Sequence, residues 1–88
     1  MSKYILNPDL VFREDNDGGL IFDPATGDVQ VLNETAAFIC TQLDGTKTIE
    51  EVASAVLAEF EIEDAAIGRG DVMQFVEVLR SRSMLQEV

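Results

Sequence analysis

The chain contains no histidine, one cysteine and only six lysine and arginine residues in 88 positions. Without histidine, neither Ser-His nor Cys-His nucleophilic catalysis can be assembled, and the commonest metal ligand is missing. A single cysteine, Cys40, excludes an internal disulfide and a thiolate zinc cluster. It falls in an apolar helical stripe, so it reads as a small buried hydrophobe rather than a nucleophile. The shortage of cations excludes more. Against the 6 basic residues stand 17 acidic ones, for a net charge of -11. Nucleic-acid binding uses Lys and Arg to displace counterions, and docking on anionic lipid needs the same charge. No apolar run approaches a membrane span, and Met1-Ser2-Lys3-Tyr4-Ile5-Leu6-Asn7 lacks the apolar segment of a secretion signal. The expectation is a cytoplasmic protein with no nucleic-acid and no membrane partner. Basic peptides, cationic enzyme surfaces and metal ions remain admissible, and the acidity serves solubility equally well.

What is present suffices for a fold. The hydrophobic fraction of 47% argues against disorder despite the charge. A chain of this size buries roughly 60–65% of its unfolded surface, enough for one modest core, so residues 1–88 are read as one domain. Residues 1–10 look irregular, with Asn7-Pro8-Asp9 as a turn signal. Three strand candidates follow: Val11 to Glu14, Gly19 to Asp23 and Asp28 to Leu32. Asp15-Asn16-Asp17-Gly18 and Asp23-Pro24-Ala25-Thr26-Gly27 supply the turns between them. In the last strand Val29 and Val31 share one face, with Gln30 and Leu32 opposite.

Asn33 reads as a helix N-cap. The helix after it, about Glu34 to Leu43, places Ala36, Ile39, Cys40 and Leu43 on one face. Asp44-Gly45-Thr46 ends it. Thr48-Ile49-Glu50-Glu51 is a capping box opening a second helix with the stripe Ile49, Val52, Ala53, Val56, Leu57, Phe60. Gly68 and Gly70 weaken helix before Asp71, so a third helix is expected to open near Asp71, with Val72, Phe75, Val76 and Leu79 on its core face. Met84, Leu85 and Val88 form an apolar tail. The order predicts an α+β, winged helix-turn-helix-like domain: a three-stranded antiparallel sheet followed by three helices. Such a ribbon leaves a strand edge unpaired, either guarded or used to pair with another chain.

No catalytic cluster is visible, and no cofactor is expected. Asp15-Asn16-Asp17-Gly18 would need an acid at Arg13 and a bidentate glutamate at Pro24 to serve as a calcium loop, so it reads as a hairpin turn. Glu59, Glu61, Glu63 and Asp64 read as a solvated face. Arg69-Gly70-Asp71 spells an adhesion tripeptide by chance, and Asp71 is expected to be a helix-start residue. Arg80 with Gln74 and Glu77, near Arg69 and Arg82, invites a DNA-recognition reading that the overall charge opposes. A small acidic carrier protein would need a serine at a helix start, whereas Ser54 lies mid-helix.

One resemblance covers nearly the whole chain. Leu6-Asn7-Pro8-Asp9, Phe12-Arg13-Glu14, Gly19-Leu20-Ile21-Phe22-Asp23-Pro24, Thr26-Gly27, Leu32-Asn33-Glu34-Thr35-Ala36, Leu43-Asp44-Gly45, Thr48-Ile49-Glu50-Glu51-Val52 and Asp71-Val72 through Phe75 to Leu79 together resemble the PqqD family of peptide-binding RiPP recognition elements. Two departures are Ser83-Met84-Leu85, where the family commonly has a glycine, and the glycines Gly68 and Gly70. The resemblance implies a non-enzymatic winged-helix protein that binds the leader segment of a ribosomally made precursor peptide. It implies that the leader adds as a strand to the third of the predicted strands and packs against the last helix. The expected peptide-binding residues are Val29, Gln30, Val31, Leu32, Met73, Val76 and Arg80. The implied enzyme partner is often a radical SAM protein, whose iron-sulfur clusters would belong to that partner. The alternatives are a transcription-factor-like DNA binder and a structural dimerisation module, since edge pairing between two copies into a homodimer would mimic peptide capture.

Overall fold

The computed structural model describes residues 2–88. The elements run β1 (Lys3–Leu6), β2 (Val11–Asp15), β3 (Gly18–Phe22), β4 (Val29–Leu32), α1 (Glu34–Gln42), β5 (Asp44–Thr48), α2 (Ile49–Glu59), α3 (Ala65–Ser81) and β6 (Leu85–Glu87). They form two antiparallel three-stranded sheets, ordered β5-β1-β6 and β2-β3-β4. The α+β class holds, and so do the three strands of the second sheet and the three helices.

The first sheet corrects three local expectations. Residues 3–6, expected to be irregular, form the central strand β1; Met1 lies outside the described residues. Asp44-Gly45-Thr46 does end α1 but continues as β5, with Gly45 at φ 85°. The apolar tail is β6, whose Leu85 pairs with Leu6 and Glu87 with Tyr4. These strands find their partners some 40 to 80 residues away, so no local turn announces them.

The third helix starts six residues earlier than expected, at Ala65, with Asp64 as its N-cap. The Asp64 carboxylate accepts the amides of Ala66 and Ile67 at 3.1 and 3.2 Å. Gly68 is buried inside this helix. A Cβ there would lie 2.4 Å from Leu57 Cδ2 and 3.1 Å from Ile62 Cγ2. The glycine is a packing solution where α3 crosses α2, not a helix stop.

The other helix starts form as expected. Asn33 caps α1 through Ala36, and the Thr48–Glu51 capping box is complete. One core joins Ile21 and Leu32 of the β2-β3-β4 sheet to Ala37, Ile39 and Cys40 of α1, Val52, Ala53 and Val56 of α2, and Val72, Val76 and Leu79 of α3. Full burial of each large side chain contributes about 1.5–3 kcal/mol. Phe38 and Phe60 pack edge to face with ring centroids 5.6 Å apart.

Candidate functional site

β4 lies at the rim of its sheet, with β3 on one side and no strand on the other among the described residues. Which of its amides are free follows from the hairpin that precedes it. The Asp23 amide donates to the Asp28 carbonyl at 2.9 Å, and the Gly27 amide donates to the Asp23 carbonyl at 2.7 Å. Opposed residues of an antiparallel pair alternate between exchanging hydrogen bonds and not. With Asp23 and Asp28 bonded, the register Phe22↔Val29, Ile21↔Gln30, Leu20↔Val31, Gly19↔Leu32 makes the Gln30 and Leu32 pairs bonded and the two valine pairs non-bonded. The amides and carbonyls of Gln30 and Leu32 are therefore spent on β3. Those of Val29 and Val31 point outward.

Side chains alternate in the same phase. Val29 and Val31 are 55% and 79% exposed, on the face away from the helices. There they continue two cross-strand rows, Val11–Phe22–Val29 and Arg13–Leu20–Val31. Leu32 is core, and Gln30 turns inward, where its Oε1 accepts from Arg82 Nη1 at the end of α3.

That contact orients α3 along the strand. Its C-terminal end lies beside Gln30, and its Asp71 and Phe75 share a cavity of about 250 Å³ with Asn33 and Ala36 beyond the other end of β4. Seven helical residues from Phe75 to Arg82 and three extended residues from Gln30 to Asn33 both span about 10 Å. The helix and the strand thus run antiparallel along one groove. Asp71, Phe75, Val78 and Arg82, spaced i, i+4, i+7, i+11, form its helical wall. A second cavity of about 680 Å³ opens at the start of β4, bordered by Val29, Gln30, Arg82, Met84 and the carboxylates of Asp9, Asp23 and Asp28.

The expected site residues divide accordingly. Val29, Gln30 and Val31 border the open edge. Leu32 and Val76 are 4% and 6% exposed and belong to the core. Met73 and Arg80 are exposed, but they sit on the opposite flank of α3, with Arg80 about 160° round the helix from Arg82 at 100° per residue. Arg69 on that flank pairs with Glu50 of α2 at 3.3 Å, which aligns the flank with α2 rather than β4.

A profile described as "Coenzyme PQQ synthesis protein D (PqqD)" matches residues 18–85. The chain belongs to the PqqD family. No curated protein matches it. Among solved structures, a lasso peptide synthetase B1 complexed with the leader peptide is 25% identical, with TM-score 0.79, covering 96% of this chain and 98% of that one. TbiB1 in complex with the TbiA(beta) leader peptide is 22% identical, with TM-score 0.80 over 93% of this chain and 94% of that one. The PqqD truncation of Methylobacterium extorquens PqqCD, described as a stand-alone RiPP recognition element, is 19% identical, with TM-score 0.73 over 94% and 87%.

Within this PqqD-family fold the cations are unevenly paired. Lys47 pairs with Asp44, Arg69 with Glu50 and Arg80 with Glu77, whereas Arg82 pairs with no carboxylate among the described residues. Sequence reasoning placed Phe75 in the core stripe and Arg82 merely near a DNA-reading face. The 71–75–78–82 spacing was visible, but choosing that flank required knowing which side of α3 meets β4. The remaining reactive group, Cys40, lies away from the groove in the core, where burial pushes its thiol up to about 12.

Proposed function

We propose that this domain, residues 1–88, captures the leader segment of a ribosomally made precursor peptide as an added strand on β4 and holds it for a modifying enzyme. One observation carries the reading: the amides and carbonyls of Val29 and Val31 face an unpaired edge beside the groove against α3. Backbone bonds along that edge give sequence-tolerant affinity, and pockets under alternate guest residues give selectivity. The relatives solved with leader peptides support the same use of the fold.

The chain acts here as a non-enzymatic adaptor. A disordered leader orders on binding, and tethering raises the effective concentration of the attached peptide at the enzyme. The enzyme is a peptide-modifying protein, with a radical SAM enzyme as the family's frequent partner. The setting is the cytoplasm, and no cofactor is needed in this chain.

Amide exchange tests the reading. Peptides selected from a displayed random library are added to the full chain. The Val29 and Val31 amides then gain protection, while those of Gln30 and Leu32, already bonded to β3, change little. Binding that leaves Val29 and Val31 unprotected removes the strand-addition mode. Protection that appears without peptide and rises with protein concentration signals pairing between two copies.

A further inference from the structure

Resting on that strand-capture reading, we infer that Arg82 determines specificity by taking a carboxylate side chain of the guest at the position opposite Gln30. The phase of β4 selects this position. An antiparallel guest exchanges its hydrogen bonds with Val29 and Val31, and its residues there project onto the outer face with the two valines. Its residue opposite Gln30 sits in a non-bonded pair, where strands approach most closely, and projects inward on the same side as the Gln30 side chain.

That side chain already marks what stands there. Gln30 Oε1 accepts from Arg82 Nη1, so an inward guest group opposite Gln30 lands beside the same guanidinium. A guanidinium offers five donors in a planar fork that fits a carboxylate with two parallel bonds. Arg69 and Arg80, the other arginines of α3, each have a carboxylate partner. Arg82 has none among the described residues, in a chain of net charge -11. The groove therefore holds, at one defined register point, a guanidinium whose direct partner is a neutral amide oxygen. The carboxylates of Asp9, Asp23 and Asp28 stand around the adjoining cavity, but none is within ion-pair distance among the described residues.

The next inward guest position is two residues away, opposite Leu32. It lies toward the smaller cavity, where Ala36 and Phe75 offer apolar surface. The recognised pattern is thus an acidic residue and an apolar residue separated by one position. The competing occupant is a basic side chain drawn to Asp9, Asp23 and Asp28 around the larger cavity. Asp23 is the least free of these, because its carboxylate accepts the Ala25 amide within the turn.

Selection from a displayed library of random peptides on the full chain tests the assignment, with Arg82→Glu and Val31→Pro proteins selected in parallel. Arg82 is exposed at the helix end, so its replacement leaves the core intact. Wild-type binders are expected to enrich Asp or Glu two positions from an apolar residue. Arg82→Glu should reverse the acidic preference to Lys or Arg at that same position, and an acidic binder should lose about tenfold or more in affinity for it. Two outcomes overturn the role of Arg82 while leaving strand capture standing: Val31→Pro-sensitive binders without an acidic position, and an acidic preference that survives Arg82→Glu. Enrichment of basic residues by the wild type favours the carboxylate cavity and also overturns it. Binders indifferent to Val31→Pro overturn both readings.

Discussion

The amide of Asp23 donates to the carbonyl of Asp28, and this bond at the mouth of a turn fixes the hydrogen-bonding phase of β4. A shift of one residue would exchange the free and the bonded amides of the rim strand. The phase makes two adjacent proline substitutions behave differently. Val31→Pro removes an outward amide, a place where proline is tolerated on an edge strand, so the fold should survive with a loss of at most about 1 kcal/mol. Peptide affinity should fall about tenfold or more, equivalent to ~1.4 kcal/mol. Gln30→Pro removes a bond to β3 and should lower the melting temperature markedly. Thermal unfolding and peptide titration of both variants check this; a Val31→Pro protein that unfolds as readily as Gln30→Pro contradicts the phase.

Local chemistry made the hairpins and helix starts legible. Asn33 and the Thr48–Glu51 box each complete their bonds within three residues. Alternation along Val29–Leu32 showed that two faces exist. It could not show which was inner, because valine and leucine suit either. β1, β5 and β6 were hidden because each is short and its pairing is long-range, so no turn between them signals a sheet. Gly68 misled for a physical reason: glycine's low helix propensity was outweighed by the close approach of Leu57, which only glycine admits without displacement. The flank of α3 that meets β4 was not legible, because both flanks carry an arginine and an apolar residue. The contacts Arg69–Glu50 and Arg82–Gln30, with the cavity that Phe75 shares with Asn33, tell them apart.

The two glycines of α3 provide a matched pair. A Cβ on Gly70 meets nothing within 4 Å, so Gly70→Ala should gain helix propensity and stabilise the chain by about 0.5–1 kcal/mol. Gly68→Ala gains the same propensity but drives a methyl to 2.4 Å from Leu57 Cδ2. Leu57 must change position, and overpacking of this kind costs about 1–3 kcal/mol. Urea unfolding should order the proteins as Gly70→Ala, wild type, Gly68→Ala. Equal stability of the two variants would mean that α2 and α3 are not in close contact there.

Acid should weaken the fold through two carboxylates, one in the capping box of α2 and one at the start of β5. The Thr48 amide, and then the Thr48 hydroxyl, hold the Glu51 carboxyl below its ordinary value of 4.5. The Thr46 hydroxyl and amide do the same for Asp44, below 3.8, aided by Lys47. A carboxyl lowered in the folded state stabilises it above the unfolded value and loses that contribution as pH falls through the folded value. Stability should therefore hold from neutral pH to about 5 and decline below about 4.5. Glu51→Gln should flatten the decline, because the glutamine retains an acceptor but no longer titrates. Denaturant midpoints measured between neutral and acid pH test this; an equally steep decline in Glu51→Gln would show that the capping carboxylate carries none of it.

Cys40 should be silent until the protein opens. Burial raises its thiol from 9.0 to about 12, so at pH 8 only about one molecule in ten thousand carries the reactive thiolate. Its 4% exposure also denies a reagent access, and burial is what sets its ionisation. Labelling by an aromatic disulfide reagent should be slower than that of a free thiol by on the order of a thousandfold or more, set by how often the core opens. Adding a captured peptide should slow it further, because a ligand bound only to the folded chain lowers the open population. Gly68→Ala should speed it, since that change strains the α2–α3 contact, and both helices contribute to the core cluster that buries Cys40. Rapid stoichiometric labelling of the native chain would mean that α1 leaves the core far more readily than its buried residues imply.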